Sequence, residues 1–477
     1  MYPAGTGEEP AVDTSLMDSM AWARTHFGAA DLGDRRREKR LVRVAAALAR
    51  KPQGTLPGSF DGWAEMKAAY RLLEQKAVTY ERIIRGHWEY VRARCREPGE
   101  YLLVEDNTQL DYTSHPAAEG LGFVGDGGGQ GIMLHSTLAL RIERWQEESP
   151  QVSVMGLFAQ KPWVRQHAPR RRHETKAARL VRARESQVWA EALREVPPPP
   201  EGVRQTYVAD RESDVYEVYE EFQSQPARQY IVRACWARAQ DGAKGSIFEA
   251  VGASPVLGRF GLKLRARPGA AARTAQLEIR ACPVTLRAPW RPGGKGAACL
   301  VRVVEAREID PPADVKEPLH WVLLTSWPVD GFDPALRVIK TYTRRELIEE
   351  YHKALKTGVG VEASELSTCQ RLLALLGILA VVAVRLLDLK FQAVTAPDEP
   401  VAPACVPPEA LAVLERKYGR PRGGWTNATA LVAIARLGGF PARRGDGRPG
   451  WLTLWRGMKQ LLPMLEGYTL ASEEKCG

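Results

Sequence analysis

The sequence predicts an α/β protein, in which an α/β core containing a β-rich stretch is flanked by helical domains at both ends. Residues from about 19 to 95 have the apolar periodicity of helices, and the chain beyond about 340 is helical again. Between these regions apolar strands alternate with helices, which is typical of α/β cores. The predicted boundaries are 1–78 for the N-terminal helical domain, 79–392 for the core with its β-rich stretch at about 228–325, and 393–477 for the C-terminal helical domain.

Composition indicates an ordinary globular protein with an anionic partner. The 477 residues are 44% hydrophobic and 26% charged, so the chain is long enough for several domains. The formal net charge of +10 indicates a polyanion such as nucleic acid, or an anionic surface, as the partner. The seven cysteines contain no CxxC pair, which argues against a disulfide framework and a cysteine zinc site and favours a reducing cytosol.

Neither the N-terminus nor the longest apolar run predicts a membrane segment. The first residues are acidic and lack an apolar stretch, so no signal peptide is expected. The run "LLALLGILAVVAV", Leu372 to Val384, has only 13 residues, which is too short to span a bilayer. It predicts a buried helix, and the expected location of the protein is the cytoplasm.

A cluster of basic residues opens one of the N-terminal helices. Asp34, at the end of "DLGD", is well placed to cap this helix. Cations in the first turns oppose the helix dipole, so they cost stability and favour a functional explanation such as DNA docking. A solubilising surface remains the alternative. The cluster comprises Arg35, Arg36, Arg37, Lys39 and Arg40.

Two aspartates follow apolar segments of the core. The segment "YLLV" predicts a short strand with Glu105 and Asp106 at its C-terminal end, and in "TYVAD" Asp210 ends a second strand before a helix. Open α/β sheets place their sites at the carboxyl ends of strands. Between the two strands, a basic segment at 161–184 is predicted to continue as a helix up to the prolines at 197–200.

The β-rich stretch is followed by the segment "YTRRELIEEYHKALKTG", which has one polar side. Drawn as a single helix at about 100° per residue, it gathers its polar signature residues into a stripe roughly 60° wide, here called the polar ridge. The pattern alone leaves two interpretations open: a solvated face with local ion pairs, or a functional ridge that contacts a polyanion. The polar ridge consists of Tyr342, Arg345, Glu349 and Lys356.

Asp106, Asp210 and Glu349 together have the chemistry of a two-metal site. Hard divalent cations such as Mg²⁺ prefer oxygen ligands. A pair of such ions activates the attacking oxygen and stabilises the leaving oxygen of a phosphoryl transfer. The other side chains of the polar ridge would then clamp the flanking phosphates. The alternative is that these acidic strand ends are only caps or surface groups.

Several stretches match a known family in its own order. They include "AWARTHFGAADLGDRRREKRLVRVAAALA", "LLVEDNTQLDY", "HSTLAL", "ADRESDVY", "WVLLTSWPV" and "ALRVIKTYTRRELIEEYHKALKTG". The polar ridge matches the family's Tyr-x2-Arg-x3-Glu-x6-Lys signature. Over roughly residues 20 to 470, the chain resembles the cut-and-paste DDE transposases of the bacterial insertion-sequence-four family, of the kind carried by transposon Tn-five.

The resemblance implies an RNase H-like catalytic core in which Asp106, Asp210 and Glu349 form the catalytic triad. They would bind two Mg²⁺ ions, for which Mn²⁺ is expected to substitute. Such an enzyme binds the inverted terminal repeats of a mobile element, excises the element through a hairpin intermediate and joins the 3′-OH ends to target DNA. The implied partners are double-stranded DNA and a second copy of the chain in a homodimer, with no membrane, in the bacterial cytosol and its nucleoid.

The resemblance also implies DNA contacts. Tyr342, Arg345 and Lys356 would contact phosphates near the cleavage point. Trp321 lies where the family places an aromatic ring that receives a flipped base, because a ring face offsets part of the cost of unstacking. The alternative for Trp321 is a core aromatic at a strand start. Further candidates are Arg233 in the β-rich stretch and, at the family's end-binding positions, Arg36, Arg37, Arg40 and Arg71.

Two other functions stay open: a catalytically restricted DNA-binding regulator derived from a transposase, and a plain two-metal nuclease without strand transfer. Glu349 is expected to bind metal and Glu350 is not, because Glu350 points about 100° away round the helix. Arg345 is expected to bind phosphate and not to pair with Glu349.

Overall fold

The computed structural model describes residues 19–50, 56–60, 62–147, 149–166, 187–264, 272–291, 294–395, 397–401, 406, 408–443, 446 and 449–473. The chain forms two compact units. The helical unit comprises Met1–Tyr90, Leu110–Leu121 and Glu350–Gly477, and the sheet unit comprises Val91–Gln109 and Gly122–Glu349. The three-domain boundaries given by the sequence stay predictions.

Short helices form the N-terminal part of the helical unit, as predicted for residues 19 to 95. Helix α2 is amphipathic: its apolar residues, such as Leu41, Ala45 and Leu48, recur three or four positions apart and are buried. Arg36 at its start is exposed. The helices are α1 (Ser19–Phe27), α2 (Arg35–Arg50), α3 (Leu56–Ser59), α4 (Trp63–Leu73) and α5 (Tyr80–Arg94).

Asp34 caps α2, which confirms the prediction. Its Oδ1 accepts a hydrogen bond from the backbone N–H of Arg36 at 2.7 Å. Its carbonyl oxygen accepts from the N–H groups of Arg37 and Glu38 at 2.9 and 3.1 Å. These bonds satisfy donors that a helix start leaves unpaired. The carboxylate also faces the positive end of the helix dipole and offsets part of the cost of the arginines that follow.

The apolar run predicted as a buried helix belongs to a longer helix, α11 (Cys369–Thr395). Within it, Cys369–Asp388 spans 20 residues with a mean hydropathy of 2.0. Among the described residues it is the one helix long and apolar enough to cross a membrane, so the expectation of a run too short to do so was wrong. The helix continues past the run through Arg385. Because 72% of that window is buried within the protein, it has the burial of a core helix.

The C-terminal helices share an apolar core, as expected for this helical region. Leu414, Ile434 and Leu461, one from each helix, are buried in a single cluster. Thr426 caps the second of these helices by accepting a hydrogen bond from the N–H of Thr429 at 3.3 Å. The helices are α12 (Pro408–Tyr418), α13 (Asn427–Leu437) and α14 (Trp451–Glu473).

Glu350, on the short helix α10 (Glu346–Lys353), joins three helices of the helical unit. Its carboxylate accepts hydrogen bonds from Lys353 at 2.9 Å, from Lys390 of α11 at 2.7 Å and from Trp451 Nε1 of α14 at 2.8 Å. Burial raises the pKa of Glu350, but the hydrogen bonds and charges of Lys390 and Lys353 outweigh this effect and lower the pKa to about 2.

Replacing Glu350 with alanine is expected to lower the free energy of unfolding by about 1–3 kcal/mol at neutral pH, because two lysines lose their counter-charge. A depressed folded-state pKa stabilises the fold above the unfolded-state pKa. The difference from wild type should therefore be complete above pH 4.5 and shrink as the pH falls toward 2. Urea unfolding over a pH series measures it. Glu409→Ala, at an exposed position of α12, is the matched control. Equal losses in both variants would contradict the assignment.

A large mixed sheet dominates the sheet unit, which confirms the predicted α/β class. In the described residues it has ten strands in the order β2-β3-β1-β5-β6-β12-β11-β8-β7, with β4 paired to β3. The strands are β1 (Gly99–Asp111), β2 (Gly122–Val124), β3 (Gly129–Arg144), β4 (Gln151–Trp163), β5 (Val203–Ala209), β6 (Arg228–Arg233), β7 (Val256–Leu264), β8 (Arg273–Leu286), β11 (Cys299–Glu308) and β12 (His320–Thr325). A separate hairpin contains β9 (Trp290–Arg291) and β10 (Gly294–Lys295).

The strands of the predicted β-rich stretch extend this same sheet. β1, β5 and β6 are parallel neighbours. From β6 onward the pairs β6–β12, β12–β11, β11–β8 and β8–β7 are antiparallel. The β-rich stretch is thus joined to the α/β core through β6, in keeping with the mixed sheets common in large folds.

Helices of the sheet unit connect or follow these strands. They are α6 (Gln187–Arg194), α7 (Tyr216–Ser224), α8 (Ile247–Ala253) and α9 (Phe332–Tyr342). α6 is the described end of the helix predicted after the basic segment. Residues 167–186 of that segment lie outside the described residues.

Candidate active site

Asp106, Asp210 and Arg233 lie at one level across three neighbouring parallel strands. Each is the residue immediately after a member of one row of paired residues that runs across the three strands. Adjacent strands are about 4.8 Å apart, so side chains at one level of neighbouring strands are close together. The carboxyl edge of parallel strands is where open sheets place their sites. The row consists of Glu105, Ala209 and Val232.

Asp106 lies inside β1 and not at the end of a strand, so the predicted position was wrong. β1 continues to Asp111, whereas β5 ends at Ala209, opposite Glu105. The apolar segment predicted too short a strand. β1 pairs with β3 as well as with β5, so it continues beyond the end of β5. Asp106 nevertheless lies level with the end of β5, which brings it next to Asp210.

The two carboxylate oxygens of Asp210 face different groups. Oδ1 accepts a hydrogen bond from the N–H of Glu212 at 2.8 Å and caps the 3-10 turn Arg211–Ser213. Oδ2 lies 3.5 Å from Nη2 of Arg345. One oxygen of Asp210 therefore acts as a cap, which is one of the two roles that the sequence left open. The other oxygen faces Arg345 in the candidate site.

The segment of the polar ridge is not one continuous α-helix. α9 ends at Tyr342, a 3-10 turn covers Thr343–Arg345, α10 begins at Glu346, and a π-helical turn covers Ala354–Gly358. A wheel of 100° per residue does not apply across such changes of helix type. As a result Tyr342 is only 5% exposed and lies in the core, not on a polar face.

Arg345 contacts the three carboxylates that the sequence singled out. Its Nη2 lies 3.3 Å from Oδ2 of Asp106 and 3.5 Å from Oδ2 of Asp210, and its Nη1 donates a hydrogen bond to Oε1 of Glu349. The sheet and the helix thus bring Asp106, Asp210 and Glu349 together around one guanidinium. The structure places Arg345 on Glu349, contrary to the expectation that the two do not pair, because an i,i+4 spacing holds them within reach.

In this carboxylate cluster (Asp106, Asp210 and Glu349), the surroundings of Asp106 disfavour its charged form. Asp106 is 9% exposed. Burial raises the pKa of Asp106 to about 7, the charge of Arg345 lowers it in part, and the charge of Asp210 raises it again. Three carboxylates gathered around one guanidinium form a set of oxygen ligands that suits a cation.

A second layer of polar groups surrounds Asp106. Asn107 Nδ2 donates to Glu212 at 3.0 Å, and the Asn107 side-chain oxygen lies 2.9 Å from Nδ1 of His135. Glu105 accepts a hydrogen bond from Thr137 at 2.9 Å and is buried. Because successive residues of a strand point to opposite faces, Glu105 and Asp106 do not share a site.

Three of the predicted DNA contacts form a contiguous group in the sheet unit. The Tyr342 hydroxyl and the Arg233 guanidinium lie close enough to influence each other's pKa. Burial raises the pKa of Tyr342 to about 12, although Arg345 and Arg233 lower it. The Trp321 ring is half-buried and packs edge-on against the Tyr342 ring, with centroids 5.2 Å apart. Arg233 Nη2 also donates to the carbonyl of His320 at 3.1 Å.

Lys356 belongs to the helical unit. It lies in the π-helical turn, and its Nζ is 3.6 Å from Oε1 of Glu362. The same Glu362 oxygen accepts a hydrogen bond from the N–H of Asp111 at 3.0 Å. The structure therefore places Lys356 in a local ion pair of its own unit, whereas the other residues of the polar ridge belong to the sheet unit.

The N-terminal arginines differ in their surroundings. Arg36 and Arg71 are exposed, and Arg40 is half-buried. Arg37 donates to the carbonyl of Leu32 at 3.2 Å and to Oε1 of Gln75 at 3.4 Å. Arg37 thus holds α2 against the end of α4, and the exposed arginines are open to a partner.

Helix α4 carries an exposed face that is aromatic and basic. Trp63 is 72% exposed, and Lys67 and Arg71 follow it at intervals of four residues, on the same side of the helix. With Met66 and Tyr70 they line an open hollow of about 530 Å³. Cationic and aromatic side chains on one surface suit a polyanion.

Asp214 is a residue of the site that the sequence analysis missed. Its side chain is fully buried, and its carboxylate accepts hydrogen bonds from the N–H groups of Cys235 and Trp236 at 2.8 and 3.1 Å. Arg238 Nε donates to it at 2.7 Å, and the Tyr219 hydroxyl donates at 2.9 Å. An acid four residues after Asp210, followed by a helix, resembles a helix start in sequence and therefore gave no signal.

The donor set fits a hard divalent cation, although the side chains are not arranged around one. Among the described residues, no group of three His, Cys, Asp or Glu side chains is positioned to hold a metal ion. The carboxylates instead surround the guanidinium of Arg345, which occupies the centre as a cation would. Oxygen ligands only, in an excess of negative charge, are what Mg²⁺ prefers. Metal binding would require Arg345 to withdraw.

Part of the chain matches a known family. Residues 19–78 match a family described as transposase DNA-binding. The match covers α1 to α4, including the basic start of α2 and the exposed face of α4. It supports a transposase that binds DNA, and it does not reach the carboxylate cluster.

Proposed function

We propose that the protein is a cut-and-paste DDE transposase of the insertion-sequence-four family, which binds the inverted terminal repeats of a mobile element. The observation that carries the proposal is the convergence of Asp106, Asp210 and Glu349 on one guanidinium. It occurs in a chain whose residues 19–78 match a transposase DNA-binding family.

An RNase H-like core is part of this proposal. It is supported by the order β4-β3-β1-β5-β6, in which β5 and β6 run parallel to β1. The remaining strands of the β-rich stretch, at 228–325, lie in sequence between Asp210 and Glu349. They would be the insertion expected from the resemblance.

Asp106, Asp210 and Glu349 would hold two Mg²⁺ ions, or Mn²⁺ in their place. Such ions, when bound, activate the attacking oxygen and stabilise the leaving oxygen of phosphoryl transfer. The chain's own contribution begins with Arg345, whose guanidinium would leave the carboxylates and bind a DNA phosphate in a bidentate manner. Tyr342 and Arg233 hold each other beside it and would position the strand.

The reaction sequence follows from using one site with different nucleophiles. Water attacks the phosphodiester at the element's end and releases a 3′-OH. This hydroxyl attacks the opposite strand to form a hairpin, water opens the hairpin, and the 3′-OH then attacks target DNA. Each step forms one P–O bond and breaks another. A homodimer would pair the two ends of the element, and the reactions would take place on the nucleoid in the cytosol.

A specific observation favours a second candidate, the catalytically restricted DNA-binding regulator. In the described residues Arg345 occupies the centre of the carboxylates, and no three-ligand metal group is preformed. Such a protein would bind the same terminal repeats but would not cut them.

The test starts from the DNA that flanks the coding region. We expect inverted repeats there, and we expect the full-length protein to bind a duplex carrying one repeat in preference to a scrambled duplex of equal composition. Addition of Mg²⁺ should then nick the repeat at its end, and a supercoiled plasmid should acquire the repeat covalently. Binding without nicking would support the regulator. Nicking without joining would support a plain two-metal nuclease, and equal binding to both duplexes would contradict both the transposase and the regulator.

A further inference from the structure

Trp236, in the loop that follows β6, is the most unusual exposed side chain near the candidate active site. It is 62% exposed. Single exposed apolar residues are ordinary on protein surfaces, so exposure alone carries no conclusion. The construction of its loop and its position in the sheet unit carry the inference.

The loop that carries Trp236 is held in place by a buried hydrogen-bond network around Asp214. The buried carboxylate of Asp214 accepts hydrogen bonds from the N–H groups of Cys235 and Trp236, and also from Arg238 and Tyr219. The N–H of Arg238 donates in turn to the carbonyl of Trp236 at 2.8 Å. A fully satisfied buried network of this kind fixes the backbone. The indole is therefore displayed from a preorganised frame at little further entropic cost.

The loop lies next to the carboxylates. Cys235 Sγ contacts the carbonyl of Arg211 at 3.3 Å, and Arg211 directly follows Asp210 in sequence. Arg233, three residues before Trp236, lies level with Asp106 and Asp210 across the parallel strands. The loop that carries the indole is thus adjacent to the edge of the sheet at which the phosphodiester would react.

The backbone that leads to Trp236 runs beside the strand that carries Trp321. The N–H of Ala234 donates to the carbonyl of Val322 at 2.8 Å, so the chain leaving β6 runs along β12 up to this point. The two tryptophans differ in availability. Trp321 is half-buried with its ring packed against Tyr342, whereas most of the Trp236 surface is open.

An open indole, on a loop that contacts the backbone of Arg211 and follows Arg233, has the chemistry that binds an unstacked DNA base. The arginines attract the phosphates, and the ring offers a face to any base, whatever its identity. We propose that Trp236 stacks on a base within a few nucleotides of the scissile phosphate and holds it out of the duplex. This inference rests on the proposed transposase function and adds to it a base-stacking residue.

The experiment compares wild type with Trp236→Ala, Trp236→Phe and Trp290→Ala, in the full-length protein. Trp290 is the matched control, because it is 73% exposed in the same unit but lies in the separate hairpin. The probe is the terminal-repeat duplex with 2-aminopurine placed in turn at each position around the cleavage point. Fluorescence is read before Mg²⁺ is added, and nicking and second-strand cleavage are then timed in single turnovers.

We expect Trp236→Ala to change the fluorescence at one or two positions and to slow second-strand cleavage about tenfold, the size of one base–aromatic stack. Initial nicking should change less, Trp236→Phe should recover most of the rate, and Trp290→Ala should behave as wild type. Identical signals and rates for Trp236→Ala and Trp290→Ala, with an active wild type, would overturn this inference alone. A wild type that neither binds nor cuts the repeat would overturn the proposed function, and the inference with it.

Discussion

Replacing Asp106 with asparagine should abolish Mg²⁺-dependent cleavage of the terminal-repeat duplex while making the protein more stable. Loss of a metal-binding carboxylate removes several kcal/mol of transition-state stabilisation, so we expect a rate loss of about 10³-fold or more. End binding should remain, because the matched DNA-binding region is residues 19–78.

The gain in stability follows from the sign of the pKa shift. Asp106 has its pKa raised from 3.8 to about 7, chiefly by burial. The folded state therefore holds a proton that the unfolded state has released, and stability falls as the pH rises between these values. Asparagine removes this cost, so the free energy of unfolding should rise by about 1 kcal/mol at pH values above 7.

Thermal or urea unfolding, paired with a gel-based nicking assay, measures both effects. Glu317→Gln, an exposed acid of the sheet unit, is the matched control and should change neither quantity. Normal cleavage by Asp106→Asn would remove Asp106 from the catalytic triad. A large loss of stability would indicate that Asp106 is a structural group and not a catalytic one.

Replacing Arg345 with glutamine should have the opposite effect on stability. Three carboxylates would lose the cation between them, and the pKa of Asp106, which Arg345 lowers, would rise further. The free energy of unfolding should fall by about 2–4 kcal/mol, increasingly as the pH rises through about 7, because the raised pKa favours a protonated folded state. Cleavage should also weaken, since the proposed phosphate contact is lost.

Divalent cations should rescue the stability of Arg345→Gln. A cation that binds only the folded protein stabilises it by mass action. In wild type the cation competes with the guanidinium, so Mg²⁺ or Mn²⁺ should raise the melting temperature of the variant by more than that of wild type. Arg344→Gln is the matched control, because this neighbouring arginine donates a hydrogen bond to Ser149. Equal shifts in wild type and in Arg345→Gln would argue against a cation site at these carboxylates.

Local patterns in the sequence predicted most of the elements but not their junctions. The helices around α2, the cap at Asp34 and the buried nature of α11 follow from periodicity and capping chemistry, which act over a few residues. The true length of β1 depends on neighbouring strands remote in sequence. The break between α9 and α10 at Thr343–Arg345 has no Gly or Pro to mark it, so a regular helix was the natural prediction.

Only part of the candidate site could be predicted from the sequence. Strand-end position drew attention to Asp106 and Asp210, and helical spacing drew attention to Glu349, although each alone had a simpler interpretation. That one guanidinium holds all three could not be foreseen, because it depends on the register of β1 on β5. Asp214 escaped notice for the same reason, since its donors Cys235, Trp236 and Arg238 lie more than twenty residues away.

The adjacent positions of Glu349 and Glu350 in α10 predict how insertions, deletions and substitutions at this site would act. Glu349 contacts Arg345 in the sheet unit, whereas Glu350 binds Lys390 and Trp451 in the helical unit. Loss or gain of a single codon between Arg345 and Glu349 would turn the following helix by about 100° and misplace both carboxylates at once. We therefore expect a frame-preserving insertion or deletion here to disrupt the contacts of both glutamates. Point substitutions, by contrast, should separate the two glutamates: a Glu349 variant is expected to lose the proposed cleavage, and a Glu350 variant is expected to lose stability.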